Sequence, residues 1–425
     1  MPSIHIDTFR SLSTQYPTWP ALKAHLEGEQ LRIIEQANGY AVIRYGKKGG
    51  ATPLAATFRS VVWNTESNRP ACVAPFKACE GVPPTGVRLR INELVDGCMV
   101  NAFVDSASGN LVVATRTQLG GDNTFYGTKT FGQMFDDALT ASPLKGRGAV
   151  AAALAGGLFA SFIIQHPDHR IVAKVARPSV KVIHVGRTDE DGQVHLFLDP
   201  SEWPETMRGF AVEAAEKEYG TAEEIQETMT RMAVQEGWRW QGLSYYDAEG
   251  QRWRLRSPTY TMLRELRGGE GAAVDRFLRL RREGNVGEYL KHYGEDRHLF
   301  WGYEAALRAS TASVLAAYSD CHKTHKVTFK ELPDAFKPAV YILHVKWLQE
   351  LRPKGYSVRQ QNAVEVVNGL RAFEQRRLLE AGVYIPSTAP PKQRASAVVG
   401  VVVGLAGGVQ ETGEVPVEGG MEGAQ

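Results

Sequence analysis

The stretch Asn92-Glu-Leu-Val-Asp-Gly-Cys-Met-Val100 decides the reading of this chain. A strand-like run enters the dipeptide Asp96-Gly97, which suits a tight turn, and a second strand leaves it. That strand closes through the hairpin signal Asp105–Asn110 onto Ala114-Thr-Arg-Thr117. By itself Asp-Gly marks a turn and nothing more, so the flanking segments carry the argument. Upstream lie Phe58-Arg-Ser-Val-Val-Trp63 and Pro75-Phe-Lys77. Downstream come Ser161-Phe-Ile-Ile-Gln-His-Pro-Asp-His-Arg-Ile-Val172, Gln241-Gly-Leu-Ser-Tyr245 and Arg252-Trp-Arg-Leu-Arg-Ser257.

Working outward, the spacing predicts a helix over Trp19–Gln36 and strands at Tyr40–Tyr45, Phe58–Trp63, Ala71–Pro75 and Val87–Leu94. Further strands are expected at Met99–Val104, Leu111–Arg116, Phe162–Gln165, Val180–Val185, Trp238–Tyr246 and Trp253–Leu255. A helix near Phe131–Leu139 interrupts them. The uncharged stretch Ala149–Gln165 is too short to cross a bilayer and reads as a buried helix running into a strand. Residues 201–236 read as helical and acidic, with a turn at Asp247–Gly250 beyond them. After Pro258 the apolar period becomes helical: Leu263–Arg267, Ala272–Arg282, Val286–Tyr293, Leu299–Tyr318, Ala339–Glu350 and Val358–Ala381. The expected class is α+β with mainly antiparallel sheets, then an all-α domain and a low-complexity tail. The expected divisions are 1–39, 40–260, 261–385 and 386–425.

A chain of 425 residues, 43% hydrophobic and 23% charged, is neither a disordered chain, a collagen nor a polytopic membrane protein. Four cysteines do not make a disulfide scaffold. The opening MPSIHIDTFRS lacks a basic region followed by an apolar run, so the expectation is a cytoplasmic protein. The net charge of +2 conceals a division. Residues 1–250 carry 24 bases against 28 acids, and residues 251–394 carry 25 against 15. The last 31 residues carry four Glu and no base. A basic second half suits a polyanion such as RNA, and the acidic tail suits a protein partner. Solvated helix faces account for the same charges equally well.

In this order the segments resemble the nucleotidyltransferase domain of the bacteriophage T4 RNA ligase 1 family, within the superfamily that holds DNA ligases and mRNA capping enzymes. The resemblance covers roughly residues 40–260, and the family's helical C-terminal domain matches the pattern after Pro258. Uncharacterised proteins of large DNA viruses look similar, which implies a viral origin and a place in the host cytoplasm or the virion. The family forms a lysyl-AMP phosphoramidate from ATP with divalent metal, then passes the adenylate to an RNA 5′-phosphate.

The chain departs from that pattern where the chemistry happens. The family's Lys-x-Asp-Gly reads Leu94-Val95-Asp96-Gly97, and leucine has no lone pair to attack a phosphate. The family's next acidic position falls at Ile163, its Glu-Gly becomes Gln241-Gly242, and its Lys-x-Lys becomes Arg254-Leu255-Arg256. Arginine binds phosphate but does not act as an acid at neutral pH. The resemblance therefore implies a degenerate nucleotidyltransferase with no catalytic residue and no metal site. Arg59, Asp96, Gly97, Arg116, Arg254 and Arg256 remain to hold a nucleotide or phosphate. Arg264, Arg267, Arg276 and Arg279 are candidates to track RNA.

Two other functions stay open: an active ligase or capping-type enzyme using ATP and Mg with a displaced lysine, and a structural, virion-associated protein. No Lys-x-Asp-Gly occurs in the chain, which leaves Lys77, Lys174 and Lys181 as substitutes. The bland readings are a solvated sheet face for Arg254 and Arg256, and salt bridges to Glu265, Glu270 and Glu283 for the helical arginines. The aromatics Trp238, Trp240, Tyr245, Tyr246 and Trp253 read as core. Cys321, His322 and His325 lack a second ligand pair at zinc spacing. His166, Asp168 and His169 read as structural.

Overall fold

A computed structural model describes residues 4–36, 38–46, 52–81, 90–212, 221–246 and 251–391. The chain divides into two compact units, Met1–Ala272 and Ala273–Gln425. The first contains three sheets built from β1 (Ile4–Ile6), β2 (Leu31–Gln36), β3 (Tyr40–Tyr45), β4 (Val61–Asn64), β5 (Arg69–Val73), β6 (Cys79–Glu80) and β7 (Arg90–Glu93). They are joined by β8 (Cys98–Val104), β9 (Leu111–Ala114), β10 (Leu158–Gln165), β11 (Ser179–Thr188), β12 (Val194–Phe197), β13 (Gly242–Tyr246) and β14 (Arg252–Arg256).

The largest sheet runs β1-β12-β11-β10-β8-β9, and the smaller two run β6-β14-β13-β7 and β2-β3-β4-β5. Every pairing is antiparallel except β6 with β14. This is the expected α+β, mainly antiparallel class.

Strand alternation sorts the two faces of the large sheet. Val100, Ala102, Ala160, Phe162, Ile164 and Val182 pack under the helices Phe131–Thr140 and Arg147–Ala153. Phe103 and Phe159, on the other face, join a core with Val61, Trp63 and Val73 of the four-stranded sheet. The uncharged stretch Ala149–Gln165 is a helix end, a turn and β10, as expected, but the helix Arg147–Ala153 is not buried: Val150 is its one enclosed side chain. The N-terminal segment is not a separate lead-in. Phe9, Leu12, Leu22 and Leu26 are buried in that second core, and β1 pairs with β12.

Several boundaries move for local reasons. The predicted helix Trp19–Gln36 is a helix only over Trp19–Gly28. Gln30 takes a positive φ of 60°, which a helix does not tolerate, and β-branched Ile33 and Ile34 continue into β2. The predicted helix over Val358–Ala381 is two, Gln360–Gly369 and Ala372–Ala381. Leu370 is extended between them, and Glu374 caps the second through the Arg371 backbone N–H. The helix Pro258–Arg267, placed by sequence in the helical domain, belongs to the first unit. Part of the expected strand Val87–Leu94, and the turn at Asp247–Gly250, lie outside the described residues, as does the tail beyond Pro391.

The second unit is helical throughout its described residues. Its longest helix, Arg297–Tyr318, runs into a π-helical turn at Ser319–Lys323. Lys337–Lys346 likewise continues as a π-helical turn at Trp347–Leu351.

Candidate functional site

The turn between β7 and β8 is locked from three sides. One carboxylate oxygen of Asp96 accepts hydrogen bonds from the backbone N–H groups of Val172 (3.0 Å) and Ala173 (2.9 Å). The other accepts the Tyr260 hydroxyl at 2.6 Å. Asp96 is 8% exposed and Tyr260 fully buried, and burial beside this carboxylate pushes the Tyr260 phenol up. Asp96 therefore ties the turn to the 172–173 loop and to the helix Pro258–Arg267. Expected as a ligand contact, its side chain is committed to the protein itself.

Gly97 is required by close approach: a Cβ there would lie 2.4 Å from the Ile164 carbonyl oxygen and 2.5 Å from Ile163 Cγ2. Gly242 is required twice over. Its φ is +131°, and a Cβ would lie 2.1 Å from the Leu255 carbonyl oxygen. Gly242 in turn accepts the Leu94 N–H at 2.8 Å. Gln165 donates to the Asp96 carbonyl at 3.0 Å.

This scaffold brings together Leu94, Ile163 and Gln241, the three positions singled out in the sequence. Leu94 and Ile163 line a small cavity of about 40 Å³ that is closed by Ile183, Leu198 and Trp203. Leu94 and Gln241 line a second, open cavity of about 220 Å³, shared with Lys181, Arg239 and Glu93. The Gln241 side-chain oxygen is buried, with no hydrogen-bond partner among the described residues. Of the candidate substitute lysines, Lys181 shares a cavity with Leu94 and pairs across the sheet with Ile163. Lys77 stands over the Tyr45 ring at 5.7 Å, and Lys174 is exposed.

One arginine lines the smaller cavity, and others lie within electrostatic reach of it. Arg252, on β14, is 7% exposed and lines the smaller cavity. Burial, then the charge of Arg252, draws the Arg59 guanidinium down to about 9, with Arg254 and Arg116 adding to the effect. A guanidinium stays protonated at neutral pH, so Arg59 remains a buried cation with other arginines nearby. Arg116 lies 4.7 Å over the Tyr45 ring. Among the described residues, no carboxylate forms an ion pair with Arg59, Arg116 or Arg252. Arg254 is bonded to Glu80, and burial holds Arg256 below its ordinary value. Arg252, Arg254 and Arg256 share one face of β14, while Trp253 and Leu255 pack with Ile91, Leu243 and Trp240. Sequence reasoning missed Arg252 as a site residue, although the same period of two reaches it.

Polar groups lie buried beside these arginines. The Ser161 hydroxyl donates to the Asn101 side-chain oxygen (Oδ1) at 2.7 Å, and His184 Nε2 meets the Val73 backbone carbonyl oxygen at 3.1 Å. His184 is fully buried and held neutral, at about 4, by burial. Its Nδ1 and the Asn101 amide nitrogen are buried without partners.

The arginines expected to track RNA are dispersed. Arg264 and Arg267 fall in the first unit, Arg276 and Arg279 in the second. Arg267 is 7% exposed, its guanidinium 4.7 Å over the Tyr126 ring. Arg276 is 2% exposed and paired with Asp296 at 3.2 Å. Both guanidiniums are thus largely enclosed by the protein. Arg279 is paired with Glu283 at 2.8 Å, and Arg264 is exposed.

His166 has both ring nitrogens engaged, by Asp137 and by the Asp168 N–H. His169 sits among Tyr126, Phe131 and Phe125. Among the described residues no group of three or more His, Cys, Asp or Glu is placed to hold a metal. Of the residues lining the cleft, Ile163 and Gln241 carry no charge and both Asp96 oxygens accept hydrogen bonds, while the Glu93 carboxylate lines both cavities and accepts the Trp240 indole N–H at 3.4 Å. No described helix is long and apolar enough to cross a membrane.

No family model matches the sequence, and no curated protein matches it. Solved structures to which the chain is similar include two forms of an archaeal ATP-dependent RNA ligase. One is 12% identical, over 68% of this chain and 73% of that one, with a TM-score of 0.38. The other is 13% identical, over 70% and 74%, at 0.36. A chain named as a proposed ATP-dependent DNA ligase from Aquifex aeolicus is 13% identical, over 82% and 86%, at 0.35.

Proposed function

We propose that this chain is a ligase-type nucleotidyltransferase that has lost nucleotidyl transfer. It holds RNA or a nucleotide by its phosphates, in an arginine-lined cleft, without forming lysyl-AMP. One observation carries the reading: Arg59, Arg116 and Arg252 concentrate positive charge, with no carboxylate partner among the described residues, beside a cavity walled by Leu94. Burying such charge is costly unless an anion completes the site. No attacking nitrogen stands at position 94, and the uncharged Ile163 and Gln241 stand where the resembled family has carboxylates. The nucleotide-sized space is also reduced. Sites for drug-sized ligands run to roughly 300–1,000 Å³, against about 40 and 220 Å³ here. That favours entry of a phosphate group over full enclosure of a nucleoside.

Two assays test this. The protein is incubated with α-labelled ATP or GTP and Mg²⁺, then denatured; label retained on the chain would end the proposal. RNA binding across a salt series should fall steeply. Three arginine–phosphate contacts give a log–log slope of about −2 on a single strand. Absence of binding at low salt would instead favour a structural role.

A second reading rests on Lys181, whose side chain lines the same open cavity as Leu94. Under it, Lys181 supplies the displaced amine, and peptide mapping would find the retained label on that residue.

A further inference from the structure

The helical unit contains a column of stacked rings at the meeting of its two π-helical turns. His322, in the turn Ser319–Lys323, lies face to face with His344 of the helix Lys337–Lys346, centroids 3.8 Å apart and planes within 10°. Tyr318 packs against His322 at 5.1 Å. Trp347 stacks on the other side of His344 at 5.6 Å, and Arg352 stands 5.5 Å over Trp347. Isolated π-helical turns distort the helix that contains them and are often found where a helix must do something besides pack.

We propose that the His322–His344 stack is an acid-sensitive latch between the helices Arg297–Tyr318 and Lys337–Lys346. The pair accommodates one proton, and entry of a second drives the helices apart. Two parallel imidazoles this close can be neutral, or one can carry charge against the other's ring face. Two imidazolium rings at the same separation repel, with no room for water between them.

The charged groups described around the pair are engaged elsewhere. From the first helix and its turn, Asp320 is committed to the Tyr384 hydroxyl (3.1 Å) and the Ser387 N–H (2.7 Å). Lys323 donates to the Val358 carbonyl at 3.1 Å, and His325 meets the Cys321 carbonyl. Burial raises the Cys321 thiol. From the second helix and its neighbour Gln360–Gly369, Lys346 engages Glu350 and Glu365 at 3.5 and 2.9 Å. Arg352, at the far end of the column, adds positive charge. Among the described residues none forms an ion pair with His344, and burial already lowers its proton affinity.

Hydrogen exchange of the full chain, read by mass spectrometry at pH 7.5 and 5.0 and corrected for intrinsic rate, tests the latch. Peptides over 318–325 and 337–351 are expected to lose protection by at least about tenfold at the lower pH. His344→Phe keeps a stacking ring but takes no proton, and should abolish the acid response. If that variant does not fold by circular dichroism, His322→Phe serves the same purpose. Equal protection at the two pH values would overturn the proposal. So would an acid response in these peptides that survives either substitution.

Discussion

Replacing Asp96 with alanine removes three hydrogen bonds at once, and its cost follows from the geometry. The Val172 and Ala173 N–H groups and the Tyr260 hydroxyl all point into a site 8% exposed, where water does not readily replace the carboxylate. Leaving one buried donor unsatisfied costs about 1–3 kcal/mol, and hydrogen bonds to a charged acceptor stand at the upper end. Partial relaxation prevents full addition, so Asp96→Ala should destabilise the first unit by about 3–5 kcal/mol. Tyr260→Phe removes one donor together with its need and should cost about 1–2 kcal/mol. The double variant should lose less than the sum, because the hydroxyl has no acceptor once Asp96 is gone. Urea denaturation of the full chain, monitored at a tryptophan of the first unit, measures all three. A loss below about 0.5 kcal/mol for Asp96→Ala would refute the structural assignment. It would return this carboxylate to the ligand-contact role that the sequence alone suggests. Strict additivity of the two substitutions would refute the direct bond.

Gly242→Ala forces a Cβ onto the Leu255 carbonyl at a positive φ, and should lower the stability of the first unit by at least about 2 kcal/mol in the same denaturation experiment. His184 and His169 are both drawn down to about 4 by burial, from an unfolded value near 6.5. Their contribution is therefore complete above pH 6.5 and is lost as pH falls from there towards 4. By pH 5 each should cost about 2 kcal/mol, and His184→Gln should flatten part of that slope. Arg252→Met removes an uncompensated buried charge while keeping the volume. It should stabilise the first unit by about 1 kcal/mol and weaken RNA binding about tenfold, as filter binding at low salt would show.

What is legible in the sequence is set by period and by turns. The alternation of Arg252, Arg254 and Arg256 against Trp253 and Leu255 is enough to put cations on one face of β14. Asp96-Gly97 locates the hairpin, and the order of the surrounding segments locates Leu94, Ile163 and Gln241, which do gather around two adjoining cavities. The rest depends on contacts distant in sequence. Nothing near Arg276 signals that Asp296 and Tyr289 will bury it, so a run of arginines reads as one continuous surface. The tie from Asp96 to Tyr260 spans 164 residues. A change of period at Pro258 carries no trace of that tie, and so puts the helix Pro258–Arg267 on the wrong side of the division. His184 gives no sign in the sequence, since nothing in the run Val182–Gly186 tells which of its side chains will be enclosed beside arginines.

The two glycines that brace position 94 answer to backbone crowding and not to reactivity. Replacing either would damage the fold whether or not anything is catalysed. The Asp96-Gly97 pair is thus a witness to shape, and any reactivity of the cleft must be judged from the side chains around position 94 instead.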